Sequence, residues 1–418
     1  MSRRGDHDRS VTATEVVVVG ASAAGLTAAE AIRAAGHDGP ITVIGREVSP
    51  PYVRPALSKA LLHGTSTAEA VCMPPPQDDV AVRLGEEAVG LDRMSRRVFL
   101  ASGAALRYDK LVIATGARAR TMRPDGRGET VLRSLGDALA VRITLGQIGT
   151  AVIVGGGFVG FELASACVAA GVRPTILTRH AGLVPRLGAE LSALLTRTAA
   201  AHGVDVQCGI DEVSLEGDPV CAVSTLRGAT FEADLVITAV GCRPNIEWLA
   251  GSGTPLDHGV LADDRCRVDA AISAAGDVAR LGGRDRTPFW TAALDQAKVA
   301  GAALIRGDEV ARYAPSDFVW TEGLGLTVSV LGPLPAQGVA ETLEGDLAES
   351  SALLRWRNGD ACTVAAVNRR ISRRKLRNLF TEEPQRTPLT AVGQSDIDSG
   401  VVDDNRRRKS RARSRERH

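Results

Sequence analysis

The chain is poor in aromatic residues, which make up 3% of its 418 positions, and it has almost no charge imbalance, with a formal net charge of +1. So even a balance gives no global attraction to nucleic acid. No apolar run approaches the ~18 residues that a membrane span needs. The seven cysteines (Cys72, Cys167, Cys208, Cys221, Cys242, Cys266 and Cys362) are odd in number and scattered, without a C-x-x-C pair or a cluster spaced for a metal. This usage reads as reduced thiol in a cytoplasmic protein, with no metal site and most of the cysteines serving as small core residues.

What the chain has in quantity is glycine, 44 residues, and two glycine-rich turns stand out. The first is Val16-Val17-Val18-Val19-Gly20-Ala21-Ser22-Ala23-Ala24-Gly25. The second is Val152-Ile153-Val154-Gly155-Gly156-Gly157-Phe158-Val159-Gly160. Each lies between a run of branched apolar residues and a small-residue helix. A buried parallel strand that turns sharply into a helix leaves backbone N–H groups free at the helix N-terminus, where a pyrophosphate binds. Two such turns imply two dinucleotides, and the usual reason to hold two is to pass a hydride between them.

The length implies two or three domains. Residues 15–45 read as strand Val16–Val19, helix Leu26–Ala35 and strand Ile41–Ile44, and residues 151–178 repeat the pattern with Ala151–Val154, Phe161–Ala170 and Thr175–Thr178. The segments Lys110–Gly116 and Asp234–Gly241 read as strands ending at crossings between domains. The fold class expected is α/β, with two Rossmann-like dinucleotide-binding domains and a C-terminal α+β domain. The first nucleotide domain is discontinuous, 14–117 and 242–313, and encloses the second, 118–241. Residues 314–380 alternate apolar and polar positions, as in an antiparallel sheet with a terminal helix. Residues 1–13 read as a disordered leader; Arg3-Arg4 looks faintly like an export signal, but its apolar run ends in the first phosphate turn. Residues 381–418 read as a disordered basic tail.

In the first turn Ser22 replaces the middle glycine, which still lets phosphate approach the backbone. Glu47 follows the second strand, about 20 residues on, where a carboxylate accepts from ribose hydroxyls. The second turn carries Gly155, Gly157 and Gly160, and its second strand ends Leu177-Thr178-Arg179-His180 with no acid. Arg179 and His180, with Arg186 beyond them, would clamp a 2′-phosphate, which favours NADPH over NADH. The alternative is a solvated loop that accepts either.

Several further segments together resemble the oxygenase-coupled ferredoxin reductases, the putidaredoxin- and rubredoxin-reductase-like flavoproteins. They are Pro51-Tyr52-Val53-Arg54-Pro55-Ala56-Leu57-Ser58-Lys59, Tyr108-Asp109-Lys110 through Gly116, Gly157-Phe158-Val159-Gly160-Phe161-Glu162, Gly241-Cys242-Arg243-Pro244-Asn245, Ala274-Ala275-Gly276-Asp277-Val278, Trp290 with Gln296, and Trp320-Thr321-Glu322. The resemblance runs in order over residues 15–380. It implies FAD at the first turn, held by Gly20, Ser22, Ala23, Ala24 and Gly25, with Glu47, Arg54, Ala114, Thr115, Gly116, Gly276, Asp277 and Trp290. It implies a nicotinamide at the second, held by Gly155, Gly157, Phe158, Val159, Gly160 and Gly241. Lys59 would sit beside the flavin paired with Glu162, and Trp320 would lie near the ring system. Taken singly, Lys59 and Glu162 could be surface charges, Asp277 a helix cap and Trp320 a core aromatic.

The chain departs from the family pattern at Ser22, at Thr178-Arg179-His180 where many members carry a glutamate, and in its basic tail. The implied acceptor is a [2Fe-2S] ferredoxin serving a haem-thiolate or ring-hydroxylating oxygenase. Because such ferredoxins are acidic, the basic run Arg369–Arg377 suits docking; the tail from Arg406 leaves docking, weak nucleic-acid contact and no role at all open. A disulfide reductase of the same fold needs a cysteine around Tyr52–Leu62, where none occurs. A flavin oxidase or peroxidase, and a non-catalytic redox sensor, are the other readings.

Overall fold

Val16–Val19 is buried at every position, and so are Ile41–Gly45 and Leu235–Thr238. Strands apolar on both faces belong in parallel sheets covered on both sides, and that is the architecture of the computed structural model, which describes residues 14–76, 79–315 and 317–381. The leader read at residues 1–13 and, Thr381 apart, the tail read at residues 381–418 lie outside the described residues; Thr381 ends the last helix.

Two five-stranded parallel sheets share one construction. In the first, the order is Ile272–Ala274, Lys110–Ile113, Val16–Val19, Ile41–Gly45 and Val80–Leu84. In the second it is Thr130–Val131, Leu235–Thr238, Thr150–Val154, Arg173–Thr178 and Asp205–Cys208. Each glycine turn therefore leaves the middle strand of its sheet. The helices behind the turns run Ala23–Ala34 and Phe158–Ala169, each beginning three residues earlier than the sequence pattern suggests. In each of these missed first turns the glycine, Gly25 or Gly160, is the residue that packs against the turn before it.

Between the sheets the chain passes twice, side by side. Ala117–Ala119 pairs antiparallel with Cys242–Pro244, and Arg120 N–H donates to the Gly241 carbonyl at 2.9 Å. A third five-stranded sheet is antiparallel, in the order Phe318–Gly323, Leu326–Leu331, Ala361–Val367, Ser351–Asn358 and Glu341–Asp346, followed by the helix Arg373–Thr381. One apolar cluster joins this sheet to the second parallel sheet, through residues such as Phe161, Leu187, Val330 and Trp356. That packing carries Trp320 and its neighbours to the helix that bears Glu162.

Candidate active site

Each glycine turn begins with a residue in the left-handed region, Gly20 and Gly155, both at φ +124°. The last glycine of each lets helix and strand touch: a Cβ on Gly25 would stand 1.8 Å from the Gly20 carbonyl oxygen, and one on Gly160 would stand 1.9 Å from that of Gly155. Neither helix has a side-chain cap or an acid in its first turn. By contrast, the helix Leu135–Leu145 is closed by a full capping box from Ser134 and Asp137. Uncapped N–H groups at two helix ends are an open demand for negative charge, and a pyrophosphate meets it.

Both turns face one cleft of about 1680 Å³. A site for one small ligand takes roughly 300–1,000 Å³, so the space is that of two. A Cβ on Gly157 would meet nothing within 4 Å, which leaves bare backbone on the cleft wall at the second turn. The residues present therefore fit two dinucleotides.

Of the residues singled out from sequence, Gly20, Ser22, Ala23, Ala24, Glu47, Arg54, Lys59, Ala114, Thr115, Gly116, Asp277, Trp290 and Trp320 line the cleft, as do Gly155, Gly157, Phe158, Val159, Glu162, Arg179, His180, Arg186 and Gly241. Gly25, Gly160 and Gly276 do not line it. Gly25 and Gly160 seat the helices, and Gly276 packs against Ala24.

At the centre, Lys59 Nζ donates to Glu162 Oε1 at 2.7 Å. Glu162 is 2% exposed and takes two further donors, Thr321 Oγ1 at 2.7 Å and the Ser58 hydroxyl. A buried carboxylate is tolerated when its lone pairs are met in this way. The Lys59 ammonium also stands 5.5 Å from the Trp320 ring centroid, and Trp320 stacks on Phe318 with centroids 6.1 Å apart. Lys59 sits in the π-helical turn Leu57–Leu61 with non-helical φ −113° and ψ −107°, the kind of local distortion that recurs at functional sites. The arrangement holds the Lys59 cation, oriented and largely shielded, on the cleft that both turns line.

The first turn's wall is braced by a relay that sequence reasoning found only in part. Tyr52 Oη donates to Glu47 Oε2 at 2.6 Å, and Arg54 Nη2 donates to Glu47 Oε1 at 3.0 Å. Burial, with the Glu47 carboxylate against it, pushes the Tyr52 phenol up to about 12, so it stays protonated and donating. Arg54 also donates to the Arg133 carbonyl, and Arg133 Nη2 donates to Asp277 Oδ2 at 2.6 Å. Arg133 was not legible in the sequence, because only the fold brings it to Asp277. Ser58 and Thr321 were equally hidden as partners of Glu162.

At the second turn, Arg179 and His180 are exposed at the end of their strand, while the Arg186 guanidinium lies 4.8 Å from the Phe289 ring centroid. Cys242 alone among the cysteines lines the cleft; Cys167 and Cys266 are buried elsewhere, their thiols pushed up to about 12 by burial.

Paired parallel sheets with uncapped glycine turns on one cleft define the class: a two-dinucleotide α/β flavoprotein oxidoreductase. The chain belongs to the pyridine nucleotide-disulphide oxidoreductase family, whose profile matches residues 14–297. It is 34% identical to the anthranilate 1,2-dioxygenase system ferredoxin–NAD(+) reductase component of Burkholderia cepacia, over 85% of this chain and 91% of that protein. It is 30% identical to putidaredoxin reductase of Pseudomonas putida, over 88% of this chain and 92% of that one. Among solved structures, the covalent putidaredoxin reductase–putidaredoxin complex matches with a TM-score of 0.78 at 29% identity, covering 88% of this chain and 92% of that chain. Among the described residues no helix is long and apolar enough to cross a membrane.

Proposed function

We propose that the protein is an FAD-dependent NAD(P)H:ferredoxin oxidoreductase that supplies electrons to an oxygenase. The observation that carries this reading is the Lys59–Glu162 pair on the one cleft that two uncapped glycine turns also line. Bound there, a nicotinamide supplies a hydride and a flavin supplies the conversion from an electron pair to single electrons. Residues 14–117 and 242–313 form the FAD domain, 118–241 the nicotinamide domain and 314–380 the closing domain. Asp277, steadied by Arg133, accepts from the flavin's polar chain; Glu47, steadied by Tyr52 and Arg54, accepts from its ribose. Lys59 favours negative charge on the reacting ring system, and Glu162 fixes its direction. Trp320 and Trp290 exclude water from the same wall.

At the second site Arg179 and His180 make NADPH the preferred donor. The strand end offers two exposed cation-forming groups and no carboxylate to repel a 2′-phosphate. The Burkholderia cepacia relative is named as a ferredoxin–NAD(+) reductase component, so an NADPH preference is a departure from it. The acceptor is an acidic [2Fe-2S] ferredoxin docking at Arg369–Arg377, where Arg370, Arg374, Lys375 and Arg377 are exposed. All seven cysteines are free, in keeping with work in the reducing cytoplasm. The test is NADPH-dependent reduction of a purified [2Fe-2S] ferredoxin across a salt series, with ferricyanide as the control acceptor. Raising salt slows the ferredoxin reaction roughly tenfold and barely touches ferricyanide; equal sensitivity would remove the docking claim.

A further inference from the structure

Two consecutive residues of the strand Phe318–Gly323 reach the buried ion pair, one on each partner. Trp320 sets its ring 5.5 Å from the Lys59 ammonium. Thr321, 1% exposed, donates to Glu162 Oε1 at 2.7 Å. That same oxygen accepts from Lys59 Nζ, while Oε2 accepts from the Ser58 hydroxyl. The Thr321 hydroxyl and the Lys59 ammonium therefore share one acceptor atom. Packing holds the strand against the helix that carries Glu162. Leu324 N–H, just past the strand, donates to Ser165 Oγ at 2.9 Å. A Cβ on Gly323 would stand 2.9 Å from the Phe161 ring and 3.0 Å from Ser165 Cβ. Valine suits a buried strand position as well as threonine does. What the hydroxyl adds is the bond to Glu162.

We propose that Thr321 is a positioning residue that sets how much of the Lys59 charge is available to the flavin. This rests on the reading that Lys59 faces the reacting ring system. Glu162 and a reduced, negatively charged ring draw on one ammonium, in an interior where such attractions are stronger than in water. A donor on a carboxylate makes a charge-assisted hydrogen bond, and an oxygen that serves two donors gives less of its charge to each. With Thr321 on Oε1, Glu162 orients Lys59 without claiming it fully. Without that hydroxyl, Lys59 is left as the one donor on Oε1. The ion pair then tightens, and the pull of the ammonium on the ring weakens. Thr321 belongs to the antiparallel sheet, Lys59 to the turn after the first unit and Glu162 to the second unit's helix. Three separate stretches of chain thus meet at one carboxylate, and the closing domain contributes to the electronics of the cleft as well as to its cover.

The test is the midpoint potential of the bound FAD, measured by spectroelectrochemical titration without nicotinamide, together with the melting temperature of the same proteins. The FAD-loaded wild type is compared with Thr321→Val, Thr321→Ser and Lys59→Gln. Valine keeps the packing and loses the hydroxyl; serine keeps the hydroxyl and loses the methyl. Thr321→Val is expected to make the flavin harder to reduce, roughly three- to tenfold in the equilibrium constant, or about 15–30 mV for a two-electron couple. Thr321→Ser is expected to hold the wild-type potential even where its melting temperature falls. An unchanged or raised potential in Thr321→Val, or potentials that follow the melting temperatures, would overturn the proposal and leave Thr321 as packing. Lys59→Gln removes the charge and keeps a donor for Glu162, and its potential is expected to fall further than that of Thr321→Val. If Lys59→Gln lowers the potential and Thr321→Val does not, the proposal alone fails. If Lys59→Gln leaves the potential unchanged, Lys59 does not face the flavin, and the reading beneath the proposal fails with it.

Discussion

The charged side chains of this cleft differ in burial, and their energies differ with it. The Lys59–Glu162 pair is the clearest case. With side-chain exposures of 13% and 3%, it is a pair whose loss of one partner strands a buried charge at a cost of about 3–5 kcal/mol. The surface pair Arg46–Glu87 at 3.6 Å, half-exposed on both sides, is of the kind that contributes about 0–1 kcal/mol. Arg179 is exposed and unburdened by such a network, so it can be changed without harm to the fold. Arg179→Glu is expected to lower kcat/KM for NADPH at least tenfold while sparing NADH, as steady-state kinetics with both donors will show; an equal fall for both would refute the clamp. Residues such as Glu47, Arg54 and Asp277 were legible because they sit at fixed distances from a glycine turn or inside a recognisable segment. Arg133, Ser58 and Thr321 were not, because what gives each a role is a partner 79 to 159 residues away in sequence that the fold alone brings near.

At the scale of the element, the strand–turn–helix unit is the working part, and its glycines do different jobs. Gly160 is a packing glycine with a backbone oxygen 1.9 Å from where its Cβ would stand, whereas Gly157 borders open cleft. Gly160→Ala is therefore expected to destabilise the protein by about 1–3 kcal/mol through overpacking. Gly157→Ala leaves thermal stability within about 0.5 kcal/mol but weakens dinucleotide binding, because its methyl projects into ligand space. Melting curves with and without NADP⁺ separate the two, and loss of stability in Gly157→Ala would contradict the assignment. The two units were readable because strand runs, glycines and small-residue helices repeat in step. Their helix starts were not, since Gly157 gives the second helix no capping side chain, and Ser22, which precedes the first, makes no capping hydrogen bond and reads as part of the glycine turn. The antiparallel sheet was readable from alternation in Leu326–Leu331 and Ala361–Val367; its edge strand Glu341–Asp346 is largely polar and exposed, and left no such signal.

For the molecule as a whole, folding fixes several protons that the unfolded chain would release more readily. Burial pushes Cys167 and Cys266 from 9.0 up to about 12, and Tyr52 and Tyr313 from 10.0 up to about 12. These groups bind their protons more tightly when folded, so their contribution is intact below pH 9.0 and is lost as pH climbs from there through about 12. The melting temperature is expected to hold flat up to that point and then fall steadily; a curve flat to the upper end would contradict these burials. The claim on which everything else depends is that both glycine turns seat dinucleotides in one cleft. Its most direct test is an anaerobic titration of the purified, FAD-reconstituted protein with NADPH, followed in the visible spectrum. The account predicts a yellow protein that binds one FAD per chain and bleaches on stoichiometric addition of NADPH. A colourless protein that takes up no FAD, or a yellow one that neither NADPH nor NADH bleaches, would contradict it.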